Sequence, residues 1–199
     1  APSAAFGTMY QPFDGYKNVA RLPGPPYHFM SQVTRISEDM NQFKAGIEIE
    51  LAYEIPPDAW YFQKNAYATM PFCVLLEAAL QPCGWLASAV GSALQVQEEL
   101  YFRNLDGKGV LHKELLPDSG TLLTTVKLTN ISQSAGMIIQ SFDVKCHTKE
   151  ELIYTLSTVF GFFPAAALAN QIGLSTSKEQ REQLSKSAEF SLDLKTFPE

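Results

Sequence analysis

Glu77 is the residue whose surroundings most directly indicate chemistry, because it is the only charged residue between positions 66 and 96. Loss of hydration in such apolar surroundings favours a protonated carboxyl group, which suits a general acid. Gln81 follows one helical turn later and could orient this carboxyl by a hydrogen bond, while Cys73 precedes it by one turn on the same face. The alternatives are a Glu77 side chain that reaches the surface and one held in a polar core network.

The start of the same helix offers a second chemical group. The first backbone N–H groups of a helix have no partner within it, so the amides of Phe72 and Cys73 could hold a carbonyl oxygen. The histidines, His28, His112 and His147, lack metal-ligand spacing, and none is predicted to be catalytic. The sequence also contains no glycine-rich phosphate loop and no Gly-x-Ser-x-Gly motif. It predicts no metal site.

The composition limits the class of partner and the compartment. The chain has 199 residues, of which 46% are apolar and 18% charged, enough for one domain with its own core. A net charge of −6 without a basic block argues against nucleic-acid binding. The cysteines, Cys73, Cys83 and Cys146, are odd in number and unpaired in spacing, which is typical of buried thiols in a reducing compartment. Since no signal-peptide pattern opens the chain, we expect a cytoplasmic protein.

A single helix is expected to position Glu77. It begins at residue 70 or 71 and extends to residue 94, and it is apolar nearly all round, which indicates an enclosed helix. Pro71 fits the first helical turn, and Pro82 predicts a kink. The run 66–96 is long enough to span a bilayer, but it is rich in Ala, Gly and Ser and is interrupted by polar and proline residues. We therefore expect a buried helix and no membrane partner.

Strand patterns lie on both sides of this helix. Two precede it, at residues 27–36 and 46–54, and the second alternates apolar residues with glutamates. Further strand-like runs follow at residues 99–105, 122–130, 137–147 and 152–162. Turn-forming residues separate them at 106–109, 117–120 and 134–136. The order predicts an antiparallel meander after the helix, and an α+β fold in which one sheet wraps around one helix.

Both ends of the chain differ from its middle. Residues 1–26 contain five prolines and predict an extended arm. Residues 174–199 carry nine charged side chains, and residues 176–179 resemble a capping box that opens a short polar helix. This end is expected to be a charged linker or tail. Residues 27–173 are expected to form the folded domain.

Three stretches of the sequence form a recognisable pattern together. They are Asp-Ala-Trp-Tyr-Phe at residues 58–62, Met-Pro-Phe-Cys-Val-Leu-Leu-Glu at residues 70–77 and Gln-Pro-Cys-Gly-Trp at residues 81–85. The pattern resembles the FabA-like β-hydroxyacyl-thioester dehydratases of fatty acid synthesis. It is most similar to the dehydratase regions of polyunsaturated fatty acid synthases, in which residues 26–30, 102–107 and 158–164 also find a counterpart. The resemblance covers residues 8–175 and implies a single hot-dog fold, a curled antiparallel sheet wrapped around one long central helix.

The resemblance also implies a site shared between two hot dogs. A histidine of one removes the C2 proton of a 3-hydroxyacyl thioester, and an Asp or Glu on the helix of the other protonates the departing 3-hydroxyl. The first amides of that helix hold the thioester carbonyl. Glu77 matches the helix carboxylate, Cys73 the helix start and Gln81 the glutamine one turn on. The substrate would be carried on the phosphopantetheine of an acyl carrier protein, with no other cofactor.

The sequence departs from the family pattern at two positions. In the family, the histidine follows the aromatic pair in a stretch that leads into Met-Pro-Gly. Here that stretch, residues 63–69, is two residues shorter, and its nearest match to the histidine is Asn65. An amide has no titratable lone pair and cannot act as a general base at neutral pH. Phe72 stands where the family has Gly and places a large ring beside the substrate entrance. The expected substrate-binding residues are Asn65, Phe72, Cys73 and Gln81.

Two hypotheses follow for the activity. In the first, the chain is the non-histidine half of a double hot-dog dehydratase, with Glu77 as the acid and the histidine supplied by a neighbouring hot dog. In the second, it is a catalytically inactive structural or acyl-binding domain. Hot-dog proteins join their sheets edge to edge, so both predict a partner, either that neighbour or a second copy in a homodimer. The isolated chain is expected not to dehydrate a 3-hydroxyacyl thioester, and the helix motif disfavours a hot-dog thioesterase.

Overall fold

The computed structural model describes residues 1–15, 19–169 and 176–186, and the chain divides into two compact units, residues 1–165 and residues 166–199. The described helices are α1 (Pro2–Phe6), α2 (Trp60–Gln63), α3 (Phe72–Ala89), α4 (Ala165–Ala169) and α5 (Lys178–Lys186). The described strands are β1 (Gln32–Ile36), β2 (Glu48–Glu54), β3 (Leu100–Leu111), β4 (Thr121–Ser134), β5 (Met137–His147) and β6 (Leu152–Pro164). These strands all belong to the first unit.

The strands form one sheet in the order β1-β2-β4-β5-β6-β3, and every neighbouring pair is antiparallel. The helix α3 packs against β2, β4 and β5. This curled antiparallel sheet around one long helix confirms the predicted α+β hot-dog fold. The predicted meander is correct for β4, β5 and β6. It is wrong for β3, which pairs with β6 at the sheet edge instead of with β4.

The strand β3 is also longer than predicted. The sequence predicts a turn at residues 106–109, but these residues continue the ladder with β6. Gly109 allows the side chain of Tyr154 to pack directly on the backbone of β3, because a Cβ added there would lie 2.1 Å from the Tyr154 hydroxyl oxygen. The expected turn between β4 and β5 is confirmed, with Ala135 at φ 49° and Gly136 at φ 77°.

The strands before α3 confirm the predicted alternation but not the first boundary. Ile49 and Leu51 are buried in the core, while Glu50 between them is partly exposed. The first strand begins at Gln32 and not at residue 27. Residues 27 and 29 are held by side-chain hydrogen bonds to α3, so their backbone is not available to a strand ladder.

The helix α3 is the predicted buried helix, with different ends. Pro71 is its N-cap, not a first-turn residue, and Ala89 is its last residue. Gly91, at φ 87°, separates the helix from a short 3₁₀ turn at Ser92–Leu94, where the sequence predicts that the helix continues. By length and composition alone this helix could cross a membrane. However, 61% of it is buried inside the protein, as in a core helix.

The beginning of the chain is not the extended arm that its prolines predict. Residues 2–6 form α1, and a 3₁₀ helix follows at Thr8–Phe13. Tyr10 and Phe13 are buried, and the hydroxyl of Tyr10 donates a hydrogen bond to the carbonyl of Ser88 at 2.5 Å. The aromatic side chains between the prolines therefore bury themselves against the end of α3, which an extended arm would not allow.

The second unit contains α5, a helix whose residues are all exposed. Its capping box lies one residue later than predicted. The N–H of Gln180 donates to Oγ of Ser177 at 3.2 Å, and the N–H of Ser177 donates to Oε1 of Gln180 at 2.9 Å. The predicted boundary between residues 173 and 174 lies outside the described residues.

Candidate functional site

Glu77 lies on the first half of α3 and is partly buried rather than enclosed. Within the described residues its hydrogen-bonding neighbour is Gln81, whose Nε2 lies 3.5 Å from Glu77 Oε2, at the long limit for such a bond. The carboxylate therefore keeps acceptor capacity for solvent or a ligand. Glu77 is thus a side chain that reaches the surface, with Gln81 as a polar neighbour, and it is not held in a polar network of the core.

Gln81 is 3% exposed, and it ties the chain before β1 to α3. Its Oε1 accepts a hydrogen bond from the backbone N–H of Phe29 at 2.8 Å, and its Nε2 donates to the backbone carbonyl of Tyr27 at 2.9 Å. Both polar ends of the amide are thus engaged by backbone groups. The hydrogen bonds of Gln81 to residues 27 and 29 are shorter than its 3.5 Å contact with Glu77. A direct contact between Gln81 and a substrate stays a prediction.

The aromatic pair of α2 holds the same segment, residues 26–29, from the other side. Nε1 of Trp60 donates to the carbonyl of Pro26 at 3.2 Å. The ring of Tyr61 packs edge-on against Phe29 with the ring centroids 6.1 Å apart, and its hydroxyl is hydrogen-bonded to that of Tyr53 at 2.9 Å. The motif residues at 60, 61 and 81 therefore converge on the 26–29 segment and position it.

Tyr27 is a site residue that the sequence reasoning did not single out. Its carbonyl accepts a hydrogen bond from Gln81 Nε2, and its ring packs on Phe29 with the centroids 4.9 Å apart. Burial raises the pKa of its hydroxyl above the ordinary value of 10, and the nearby Glu77 and Cys73 raise it further. Tyr27, Cys73, Glu77 and Gln81 thus form one cluster over α3. The only sequence signal was its place in the family-like stretch at residues 26–30.

The start of α3 presents its amides at the surface. The N–H of Val74 donates to the carbonyl of Pro71 at 2.9 Å and closes the first turn. The amides of Phe72 and Cys73 lie before this first bond and therefore have no partner within the helix. Both side chains are exposed. The Phe72 ring, 51% exposed, meets Tyr154 edge-on with the centroids 5.7 Å apart. A large ring therefore stands beside these amides.

Asn65 lies apart from this cluster in its hydrogen bonding. Its Nδ2 donates to the carbonyl of Thr69 at 2.9 Å, and its Oδ1 accepts from the N–H of Ala66 at 3.0 Å. The side chain thus stabilises the loop between α2 and α3. Among the described residues no hydrogen bond joins Asn65 to Glu77, and its role toward a substrate stays a prediction.

The three cysteine thiols differ in their exposure to solvent. Cys83 and Cys146 are buried, as expected, but Cys73 is exposed, because it lies in the first turn of α3. Burial raises the pKa of Cys146 to about 12 and that of Cys83 well above its ordinary value of 9. Within the described ranges 1–15, 19–169 and 176–186, no group of three or more His, Cys, Asp or Glu side chains could hold a metal ion.

The histidines are occupied by local hydrogen bonds. His28 Nδ1 lies 3.1 Å from the carbonyl of Pro23, and His147 Nδ1 lies 3.0 Å from the carbonyl of Thr148. The third, His112, has its Nε2 3.0 Å from the hydroxyl oxygen of a β6 threonine. None of these bonds reaches the cluster around Glu77.

Comparison with known proteins places this geometry in a family. A model described as the FabA-like domain matches residues 22–157. One of the polyunsaturated fatty acid synthase subunits of Thraustochytrium sp. is 25% identical over 189 residues, which cover 89% of this chain and 12% of that protein. The chain thus spans about an eighth of the length of this relative.

Solved structures with the same type of fold are more distant. Thioesterase HI1161 from Haemophilus influenzae is 13% identical, with coverage of 63% of this chain and 77% of that chain and a TM-score of 0.45. The protein smu.793 from Streptococcus mutans, bound to acetyl CoA, is 16% identical, with coverage of 65% and 93% and a TM-score of 0.45. The family model, by contrast, extends from the segment before β1 into β6. This chain belongs to the FabA-like domain family.

Proposed function

We propose that this chain is the non-histidine half of a double hot-dog dehydratase acting on 3-hydroxyacyl thioesters of an acyl carrier protein. The observation that carries the proposal is the partly buried Glu77 carboxylate, which lies on α3 one turn after the open amides. Membership of the FabA-like family and the similarity to a polyunsaturated fatty acid synthase support it. The substrate would arrive on phosphopantetheine, so no further cofactor is proposed.

Removal of water requires an acid at the C3 oxygen and a base at C2. Protonated Glu77 would give its proton to the 3-hydroxyl as the C3–O bond breaks and water leaves. A histidine of the neighbouring hot dog would take the C2 proton, and the electron pair left behind forms the C2–C3 double bond. The amides of Phe72 and Cys73 would hold the thioester carbonyl, about 6 to 7.5 Å along the helix axis from Glu77.

The neighbouring hot dog is proposed to join along β3. This strand has 12 residues and lies at the edge of the sheet, and its residues Tyr101, Leu105 and Val110 are between 45% and 51% exposed. The other edge, β1, has only five residues, and a short edge strand disfavours pairing. The partner at β3 would be a histidine-bearing hot dog or, for the isolated chain, a second copy.

The alternative function is a catalytically inactive structural or acyl-binding domain. Two observations favour it. Asn65, at the position of the family histidine, has both ends of its amide committed to its own loop. The exposed ring of Phe72 also stands beside the amides that would bind a carbonyl. A domain of this kind would pack against its partner without contributing a proton.

Substitution of Glu77 separates the two functions. In a synthase that contains this chain and a histidine-bearing hot dog, Glu77→Gln should lower the dehydration rate of a 3-hydroxyacyl thioester by a factor of about 100 or more. The exposed Glu98→Gln is the matched control and should leave the rate unchanged. An unchanged rate in Glu77→Gln would exclude the acid role and leave the structural function.

The isolated chain supplies a second test. Because no general base matches the family histidine, the chain alone should not dehydrate a 3-hydroxyacyl thioester. Turnover by the chain alone that disappears in Asn65→Ala would contradict the proposed half-site, since it would make this loop the source of the missing catalytic group.

A further inference from the structure

Tyr27 occupies a position that neither the sequence nor the proposed acid–base pair explains. Its main chain is held on α3 through Gln81, and residues Pro26 and Phe29 on either side are held by Trp60 and Gln81. A segment held at three points has little freedom to move away from the helix. The side chain of Tyr27 is therefore held over one face of α3.

That face is the one that carries Glu77. The carbonyl of Tyr27 and the Oε2 atom of Glu77 both lie within 3.5 Å of one atom, Nε2 of Gln81. Cys73 lies one turn earlier on the same face, and the charges of Glu77 and Cys73 add to the rise in the pKa of the Tyr27 hydroxyl. In the described part of the chain, no hydrogen bond joins the Tyr27 hydroxyl to either group. One nitrogen of Gln81 thus joins the main chain of Tyr27 to the Glu77 carboxylate on this face of α3.

We propose that Tyr27 stands beside Glu77 on this face of α3 and donates a hydrogen bond from its hydroxyl to the C3 oxygen of a 3-hydroxyacyl thioester. The inference rests on the proposed function, since it assigns the same substrate class to the same face of α3. Glu77 approaches that oxygen as the proton donor, and Tyr27 fixes the position of the oxygen. Tyr27 is then a specificity residue, because it distinguishes a 3-hydroxyacyl chain from an acyl chain without the hydroxyl.

The chemistry of Tyr27 suits this role. Partial burial and the neighbouring acidic groups raise the pKa of its hydroxyl above 10, so it is a neutral donor at neutral pH. Its ring, fixed against Phe29, loses little further rotamer freedom when it binds a ligand. His28, the next residue, is exposed and bonded toward Pro23, and it therefore does not compete for the same oxygen.

Cys73 makes the proposal testable without turnover. It is the exposed thiol of this cluster, while Cys83 and Cys146 are buried, so iodoacetamide alkylation of the native chain reports on this face of α3. The rate is measured against increasing 3-hydroxydecanoyl-pantetheine and, separately, decanoyl-pantetheine. Cys73→Ser identifies any alkylation at other positions. Wild-type protein should be protected at roughly fivefold lower concentration of the hydroxylated thioester, the effect of about one hydrogen bond.

Tyr27→Phe removes only the hydroxyl group. It should sharply reduce the preference, leaving only the part that Glu77 contributes, while protection by decanoyl-pantetheine stays unchanged. Tyr67→Phe, at a tyrosine that is 77% exposed, is the matched control and should retain the preference. A Tyr27→Phe variant that keeps the full preference would overturn the proposal, as would a wild-type chain protected by neither thioester or by both equally. Alkylation measures binding only, whereas the Glu77→Gln assay measures dehydration. The outcome for Tyr27 is therefore distinguishable from the outcome for the proposed acid role of Glu77.

Discussion

Replacement of Gln81 by Leu tests whether its amide holds the 26–29 segment on α3. The substitution keeps a similar volume but removes both hydrogen bonds, of 2.8 and 2.9 Å. It leaves the N–H of Phe29, a residue only 1% exposed, and the carbonyl of Tyr27 without these partners. An unsatisfied buried polar group costs about 1–3 kcal/mol, so we expect the free energy of unfolding to fall by about 2–5 kcal/mol.

Urea unfolding followed by circular dichroism, with linear extrapolation, measures this loss. The matched control is Gln133→Leu, which removes an exposed glutamine of β4 and should change the free energy of unfolding by less than about 0.5 kcal/mol. Gln81→Glu should lower the free energy of unfolding at neutral pH at least as much as Gln81→Leu. It can still accept from Phe29, but it turns an oxygen toward the Tyr27 carbonyl and buries a like charge one turn from Glu77. A loss below about 1 kcal/mol in Gln81→Leu would refute the inferred role of the amide.

Three further predictions concern the sheet, the buried thiols and the assembly. Gly109→Ala should lower the free energy of unfolding by about 1–3 kcal/mol, because the new Cβ would lie 2.1 Å from the Tyr154 hydroxyl oxygen. Gly107→Ala, whose nearest contact is 3.3 Å, should cost clearly less, and equal losses would contradict this packing argument. The raised pKa values of Cys83 and Cys146 in the folded state mean that their contribution to stability is complete below about pH 9 and is lost as the pH rises above it, up to about 12 for Cys146. Urea titrations should therefore show stability falling by about 1.4 kcal/mol per pH unit for each ionising thiol, with a shallower fall in Cys146→Ala; an identical slope would count against it. Light scattering on the isolated chain should give the mass of a dimer joined through β3, and a stable monomer would argue against that edge as the interface.

Much of the fold follows from local patterns in the sequence. The alternation in β2, the strand at residues 137–147 and the turn at residues 134–136 depend on neighbouring residues, and the structure confirms them. The long apolar run around Glu77 likewise predicts a buried helix, which α3 confirms. These features were predictable because periodicity reports directly on which face of an element is buried.

The errors have a common physical cause. The Gly-Lys-Gly stretch of β3 has the composition of a turn, and only the ladder with β6 and the ring of Tyr154 over Gly109 explain why glycine is needed there. Similarly, the prolines of residues 1–26 predict an extended arm, but residues 2–13 form short helices because Tyr10 is buried against the end of α3. In each case a contact between distant parts of the chain outweighs a local preference.

The candidate site also has one part that the sequence predicts and another that only the folded chain shows. Helical spacing is enough to predict that a lone carboxylate, Glu77, lies on an apolar helix with Cys73 and Gln81 one turn to either side, because residues four apart share one face. No local pattern predicts that Gln81 binds the backbone of residues 27–29 or that Tyr27 joins the cluster, and these contacts come from the folded chain. The hydrogen bonds join residues more than 50 positions apart. They form because packing of the sheet, α2 and α3 brings these distant residues together, and buried backbone groups need a hydrogen-bond partner.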